Sequence, residues 1–245
     1  MEISSSVSFV IMATSMIMCF LLNLLIDKLP VPPKYADGSR RHKWRNVVIS
    51  TIHAVSASTG GLASIYFAPE LLSDPLNATS AIILVSMAIT NGYYVYDFID
   101  LAMNTKLASF LPLMIHHTLD IFILFWVIVE KKMFGIVAIT SCIEINGISL
   151  HLRHILLMFD YKKDDLVFKV NNVFNVVTYV VLRLGILAYD TWWLFANWTD
   201  VNFLFPPMSL ILLLLNIGLF YRLIESDYIR KPITQKPKVR DIMAD

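Results

Sequence analysis

The chain has 245 residues, of which 57% are hydrophobic and only 16% charged, with a formal net charge of +1. Soluble globular domains are about 45–50% apolar, so this composition excludes one. The balanced charge leaves no basic footprint, and no nucleic-acid partner is expected. Cys19 and Cys142 both lie inside apolar stretches, where they act as small hydrophobes rather than a disulfide framework.

Seven stretches approach the ~20 apolar residues that cross a bilayer. They run Val7–Ile26, Val47–Phe67, Ala78–Tyr96, Leu107–Val129, Met133–Phe159, Val170–Tyr189 and Val201–Ile224, the sixth extendable through Trp192 and Trp193. Continuous apolarity predicts helices rather than the alternating strands of a barrel. The first stretch is expected to stay as a helix and not be cleaved. Glu2 precedes it without any Lys or Arg, its core is long, and no small-residue cleavage site follows.

The polar residues inside these spans follow in chain order. Span two carries His53, and span three carries Asn91, Tyr93, Tyr94 and Asp97. Span four holds the adjacent pair His116 and His117, with Asp120 nearby. Span five holds Glu144, Asn146, His151, Arg153 and His154. Span six holds Asn171, Asn175 and Thr178 on one face, and Tyr179 and Arg183 on another. An ionisable group near the bilayer centre costs at least ~2.5 kcal/mol, so this concentration implies partners and a task.

Helical spacing assigns the faces. His117 and Asp120, three apart, are expected to share one, with His116 about 100° away. Glu144 and His151 share a face two turns long that His154 continues, and Asn146 and Arg153 form a neighbouring stripe. Together these groups are expected to line a polar cavity inside an apolar bundle. A histidine–carboxylate pair there can act as a general base, drawing a proton from an amine or hydroxyl that attacks an acyl thioester. The competing reading is structural: buried Asn and Thr bridge membrane helices, and Arg153 and Arg183 pair with Glu144 or Asp97. No His-Glu-x-x-His or other zinc motif is present, so neither a metal nor a cofactor is expected.

Lysine and arginine placement gives the orientation. Sixteen fall in the odd-numbered loops and the tail, against Lys131 and Lys132 alone in the even ones. The N-terminus is therefore expected outside or in the lumen and the C-terminus in the cytosol. Both Asn-x-Thr sequons, at Asn77 and Asn197, then fall on the lumenal or outer side. The segment Lys34–Arg45 is expected to rest on anionic cytosolic headgroups, and Arg230–Arg240 to form a basic tail.

Several of these features, in this order and spacing, resemble the TLC-domain family. They are Arg45-Asn46 leading into His53, Tyr93-Tyr94-x-Tyr96-Asp97, His116-His117-x-x-Asp120 and Glu144-x-Asn146. His151-Leu152-Arg153 and Asn175-x-x-Thr178-Tyr179-x-x-x-Arg183 continue the pattern. The family includes ceramide synthases and TRAM proteins, and within it the chain is most similar to the subgroup of TLC domain-containing proteins 1 and 2. The resemblance implies an all-α integral membrane protein with seven transmembrane helices, six of them forming a TLC-type helical barrel around a lipid-accessible tunnel. The implied organisation is residues 1–42 as an N-terminal helix and basic loop, 43–224 as the TLC domain, and 225–245 as a cytosolic tail.

In ceramide synthases a double histidine and a downstream acidic motif carry acyl transfer from acyl-CoA. The double histidine is present here. Where a synthase reads His-Asp-x-x-Asp, however, this chain reads Ile143-Glu144-Ile145-Asn146-Gly147, which argues against ceramide synthesis. The subgroup implies control of phospholipid acyl composition and membrane fluidity, in the plasma membrane or the endoplasmic reticulum. On that basis His117, Asp120 and Glu144 are the candidate catalytic residues. His116, Asn146, His151, Arg153, Asn175 and Arg183 are the candidate lipid-binding ones. The expected partners are membrane phospholipids or other acyl lipids, acyl-CoA in a transferase reading, and another membrane protein such as a channel in a non-enzymatic one.

Overall fold

A computed structural model describes residues 4–36, 38–105 and 107–229 of the chain. Lys106 and the basic tail from Arg230 onward, both counted in the charge asymmetry, lie outside the described residues.

The architecture is all-helical among the described residues, and seven helices are long and apolar enough to cross a membrane. Helix α1 (Ser5–Ile26) starts at an N-cap, Ser4, whose hydroxyl accepts from the Val7 amide. After a short 3₁₀ turn, α2 (Gly38–Phe67) forms the second span, reaching well into the segment expected to be a basic loop. The one-turn helix α3 (Glu70–Ser73) leads to α4 (Ala81–Asn104) and α5 (Leu107–Glu130). The fifth span is two helices in series, α6 (Phe134–Ser141) and α7 (Glu144–Met158). The sixth is α8 (Leu166–Thr178), a π-helical stretch at Tyr179–Leu184 and α9 (Gly185–Ala196), so it does run through both tryptophans. Helix α10 (Phe205–Ile224) ends in a second π-helical stretch, Glu225–Ile229.

Six spans close into a ring. Helix α2 packs on α4, α4 on α5, α5 on α10 and α10 on α9; α8 packs on α7, and α7 and α6 return to α2. Helix α1 stands outside this ring against α4. Its contact is close because Gly92 has no side chain: a Cβ there would come within 2.8 Å of the Ser15 Cβ. Two bonds fasten the pair, Ser15 Oγ donating to the Ile89 carbonyl (2.8 Å) and Asn23 Nδ2 donating to Tyr96 Oη (2.5 Å). The same device brings α2 to α6, where a Cβ on Gly61 would lie 2.7 Å from that of Ser141.

The two ends of the ring differ. The end carrying Asn77 and Asn197 is filled by an apolar cluster that includes Leu71, Ile83, Ile128, Phe134, Leu194 and Phe205. At the other end, which bears the loop lysines and arginines, polar and charged groups replace it, from the buried interior out to the rim. His42 Nε2 lies 2.7 Å from Asp100 Oδ2, and Asp27 accepts from Arg41 and Arg45, each at 2.6 Å. Lys34 pairs with Asp160 across the loops. Much of the segment expected to rest on headgroups is therefore engaged within the protein.

Candidate functional site

The ring encloses two cavities that meet. A vestibule of about 520 Å³ opens at the basic end, lined by Lys43, His117, Arg153, His154, Arg183 and Arg222 among others. A smaller apolar chamber of about 110 Å³ lies towards the opposite end, walled by residues such as Ile123, Leu124, Val137, Leu187 and Phe205. Tyr94 and Glu144 line both. Spacing alone placed the polar groups inside the bundle; the structure adds the division into a wider charged vestibule and a smaller, mostly apolar chamber that Asp120, Glu144 and Asp190 also line.

His117 faces this interior and is 95% buried, its exposure being 5%. Its carboxylate partner is not Asp120. Nε2 of His117 lies 2.8 Å from Asp97 Oδ2 on α4, whereas Asp120 Oδ2 sits 3.1 Å from Nε2 of His116, four residues earlier. The correction is geometric. Residues four apart on a helix are separated by ~40° and those three apart by ~60°, so Asp120 favours His116. His117 is freed to turn across the helix interface. Asp97 is itself fixed by Asn46, whose Nδ2 donates to Oδ1 at 2.5 Å. The close approach brings negative charge to the ring, but neither ring nitrogen of His117 has an aligned hydrogen bond. The imidazole thus sits beside a carboxylate with hydrogen-bonding capacity left to offer. The Tyr94 ring leans on it, at 5.1 Å between centroids.

Glu144 and Arg183 face each other, Oε1 to Nη2 at 3.6 Å, as one of the sequence readings anticipated. The π-helical stretch containing Arg183 adds a residue to its turn and so re-aims the side chains that follow. The Arg183 guanidinium lies over the Tyr179 ring (5.6 Å) and its Nε donates to Asn146 Oδ1 at 2.9 Å. Asn146 is a hub: its Nδ2 donates to the Asn175 carbonyl (2.9 Å), Asn175 Oδ1 (3.0 Å) and Thr178 Oγ1 (3.0 Å). Asn171 adds a bond from Nδ2 to the Ser149 carbonyl, 3.0 Å long. Asn146 and Asn175 are fully buried and knit α7 to α8, so the structure gives them the bridging part rather than cavity walls. His151 does line the vestibule, and its Nδ1 has no hydrogen-bond partner.

Arg153 pairs with neither Glu144 nor Asp97. Its Nε donates to Asp227 Oδ2 at 2.6 Å and its Nη2 to Ser226 Oγ at 2.9 Å, tying α7 to the stretch that continues α10. Hydropathy placed Asp227 in the tail, beyond the last span, so no spacing argument could reach it. The His42–Asp100 pair was missed for the same kind of reason, because His42 sits in a segment that reads as a surface loop. Asp190 was also missed. It lies on the chamber wall, where Thr140 Oγ1 donates to Oδ2 at 2.7 Å and Oδ1 has no partner. A lone acid in an apolar run was the signal available.

His116, His117 and Asp120 hold metal-ligand atoms within 4.8 Å of one another. Both rings already approach carboxylates, and the Arg183 guanidinium lines the vestibule with them.

Known proteins now place the chain. The TLC domain family model matches residues 43–225, and the chain belongs to the TLC-domain family. It is 31% identical over 217 residues to zebrafish (Danio rerio) TLC domain-containing protein 2, covering 86% of each chain. It is 27% identical over 211 residues to rat (Rattus norvegicus) TLC domain-containing protein 1, covering 84% of this chain and 85% of that one. Human (Homo sapiens) TLC domain-containing protein 2 is 28% identical over 188 residues, covering 77% and 68% respectively. No solved structure matches it. The protein is an integral membrane protein of that family, and helix α1 precedes the matched region.

Proposed function

We propose that this protein binds a membrane phospholipid or related acyl lipid within the ring and thereby regulates phospholipid acyl composition and membrane fluidity. The observation that carries this reading is the junction of the two cavities at Tyr94 and Glu144. A charged vestibule suits a phosphate-bearing headgroup, the adjoining, mostly apolar chamber suits a short stretch of hydrocarbon, and His117 sits beside the boundary. In this reading Arg183, Lys43 and Arg222 attract the headgroup, while His117 donates to it or to the ester behind it. The basic end faces the cytosol and the sequon end the lumen or exterior, in line with the charge asymmetry and the positive-inside rule.

A second reading has the same site transfer an acyl group. Its support is the buried imidazole 2.8 Å from Asp97, with neither ring nitrogen in an aligned hydrogen bond. A lipid hydroxyl or amine would attack the thioester carbonyl of acyl-CoA, His117 would take the proton, the new ester or amide bond would form, and the CoA thiolate would leave. Asp97 would stabilise the imidazolium.

Profiling of phospholipid acyl chains in cells lacking the protein tests the shared core of both. Wild type should restore the profile, and His117→Ala should not, at equal membrane abundance. Full rescue by His117→Ala would defeat both readings and favour a partner-protein role. Incubating purified protein with labelled acyl-CoA and lysophospholipid separates the two, since only the second predicts turnover.

A further inference from the structure

A third cavity lies outside the ring, between α1, α2 and α4, with a volume of about 420 Å³. Its walls are Val10, Met18 and Leu22 of α1, Ile49 and Ile52 of α2, and Ile89 of α4, all within membrane-spanning segments. A histidine is built into this largely apolar setting, alongside Tyr93 and Cys19. His53 is 7% exposed, and its Nε2 has no hydrogen-bond partner. His53 and Tyr93 line both this groove and the vestibule, so these two side chains are the partition between them. Their rings stack at 3.8 Å with an 8° interplanar angle, and Tyr93 is held by its hydroxyl donating to Ser50 at 2.9 Å.

We propose that this groove is a lateral port through which an acyl chain of a membrane glycerophospholipid passes between the bilayer and the vestibule, with the His53–Tyr93 stack as its gate. The proposal rests on the lipid-binding reading above and deepens it by naming the route. The way α1 is mounted favours it. Helix α1 is bonded to α4 through Ser15 and Asn23, whereas between Val10 and Leu22 no hydrogen bond joins it to α2 among the described residues. That seam can widen without breaking a polar contact. Lipid tails are as apolar as the groove walls, so the hydrophobic effect neither holds a chain there nor bars it. The groove is then a path, and binding energy comes from the headgroup meeting the charged vestibule behind the gate. Of the two ring partners, His53 is the moving one. Tyr93 is anchored to Ser50, while the His53 ring is held at the partition by its stack on Tyr93 and an edge contact with Tyr94. Helix α1, which forms one wall of the groove, precedes the matched TLC domain, whereas His53 and Tyr93 lie within it.

The test uses the full-length protein in nanodiscs containing phosphatidylcholine with a diazirine in mid-chain, with adducts mapped by mass spectrometry. In wild type, adducts should appear at groove residues such as Met18 and Ile52 and inside the vestibule at Leu150 and Leu219. Ser56→Trp and Thr14→Trp fill the groove from opposite walls, and neither residue lines the vestibule. Each should lower vestibule labelling several-fold at an unchanged melting temperature, while labelling of the exposed α8 face at Val173 and Val177 stays constant. Having two variants on different helices guards against one that fails to fold. Vestibule labelling that persists in both variants would overturn the port and leave the lipid-binding reading standing. A vestibule unlabelled in wild type would overturn both.

Discussion

The two ends of the six-helix ring solve the same burial problem with opposite chemistry. At the sequon end, Phe134, Ile83, Ile128 and Leu71 are almost wholly buried and pack as an apolar core around the small chamber. At the basic end, the interior is occupied by His42–Asp100, His117–Asp97, Glu144–Arg183 and Arg153–Asp227, with a vestibule among them. An apolar interior is cheap to build in a membrane, whereas buried ion pairs repay their desolvation only with good geometry. The polar end is therefore the costly one, and what accompanies that cost is a charged space held open inside the bundle.

That contrast breaks most sharply at Phe134. Its truncation to Ala should cost ~3–5 kcal/mol, because a large buried ring leaves a cavity that helices cannot readily close. The melting temperature in detergent and the membrane abundance should both fall further than for any vestibule variant. A His117→Ala protein as unstable as Phe134→Ala would erase the distinction between a packing end and a working end.

Next in size is the Arg153–Asp227 pair. Asp227→Ala strands a buried guanidinium and should cost ~3 kcal/mol, but the double change Arg153→Met with Asp227→Leu should recover most of it. If the double variant is as unstable as the single one, the pair is itself a source of stability and the polar end is not merely tolerated. The Asn146 hub comes third. At ~0.6 kcal/mol for each interhelical hydrogen bond in a membrane bundle, losing its four contacts through Asn146→Ala should cost ~2 kcal/mol, read as a thermal shift. A loss well above that would mean that Asn146 also sets the position of Arg183.

The sequence made some of this legible and hid the rest for identifiable reasons. Seven spans stood out because each is a long apolar block, and the polar lining stood out because titratable groups interrupt those blocks at helical spacing. Asn146 and Asn175 read as candidate lipid-binding residues with helix bridging as the competing reading, and spacing could not choose between the two; their bonds across α7 and α8 did. What periodicity cannot supply is the rotation of one helix against another. His117 was given Asp120 from its own helix, when the nearer carboxylate came from Asp97 on α4. His42 and Asp227 were invisible because both lie where helices continue past their apolar stretch, α2 beginning at Gly38 and the last span carrying on through Glu225–Ile229. The division between vestibule and chamber needed the ring closed before it could be seen.

The smallest effect belongs to the rim of the polar end. The Asp27 carboxylate, just past α1, accepts from Arg41 and Arg45, and those guanidinium groups, Arg41 foremost, hold it below the usual carboxylate range. A carboxyl whose folded value is depressed contributes stability that is present above its unfolded value, near 4, and is lost as the pH falls through the lower folded one. Asp27→Asn should therefore be slightly less stable than wild type at neutral pH, and the gap should close below about pH 4 as the wild-type carboxyl protonates. The gap itself should be small, because the Asp27 side chain is 40% exposed and water screens such pairs. Melting curves of the two proteins from neutral pH down to about pH 2 decide it. A gap that stays constant over that range would show that Asn fails for reasons of shape. The rim would then be held by the fit of the two arginines around the end of α1, and charge would be needed only deeper, where the vestibule begins.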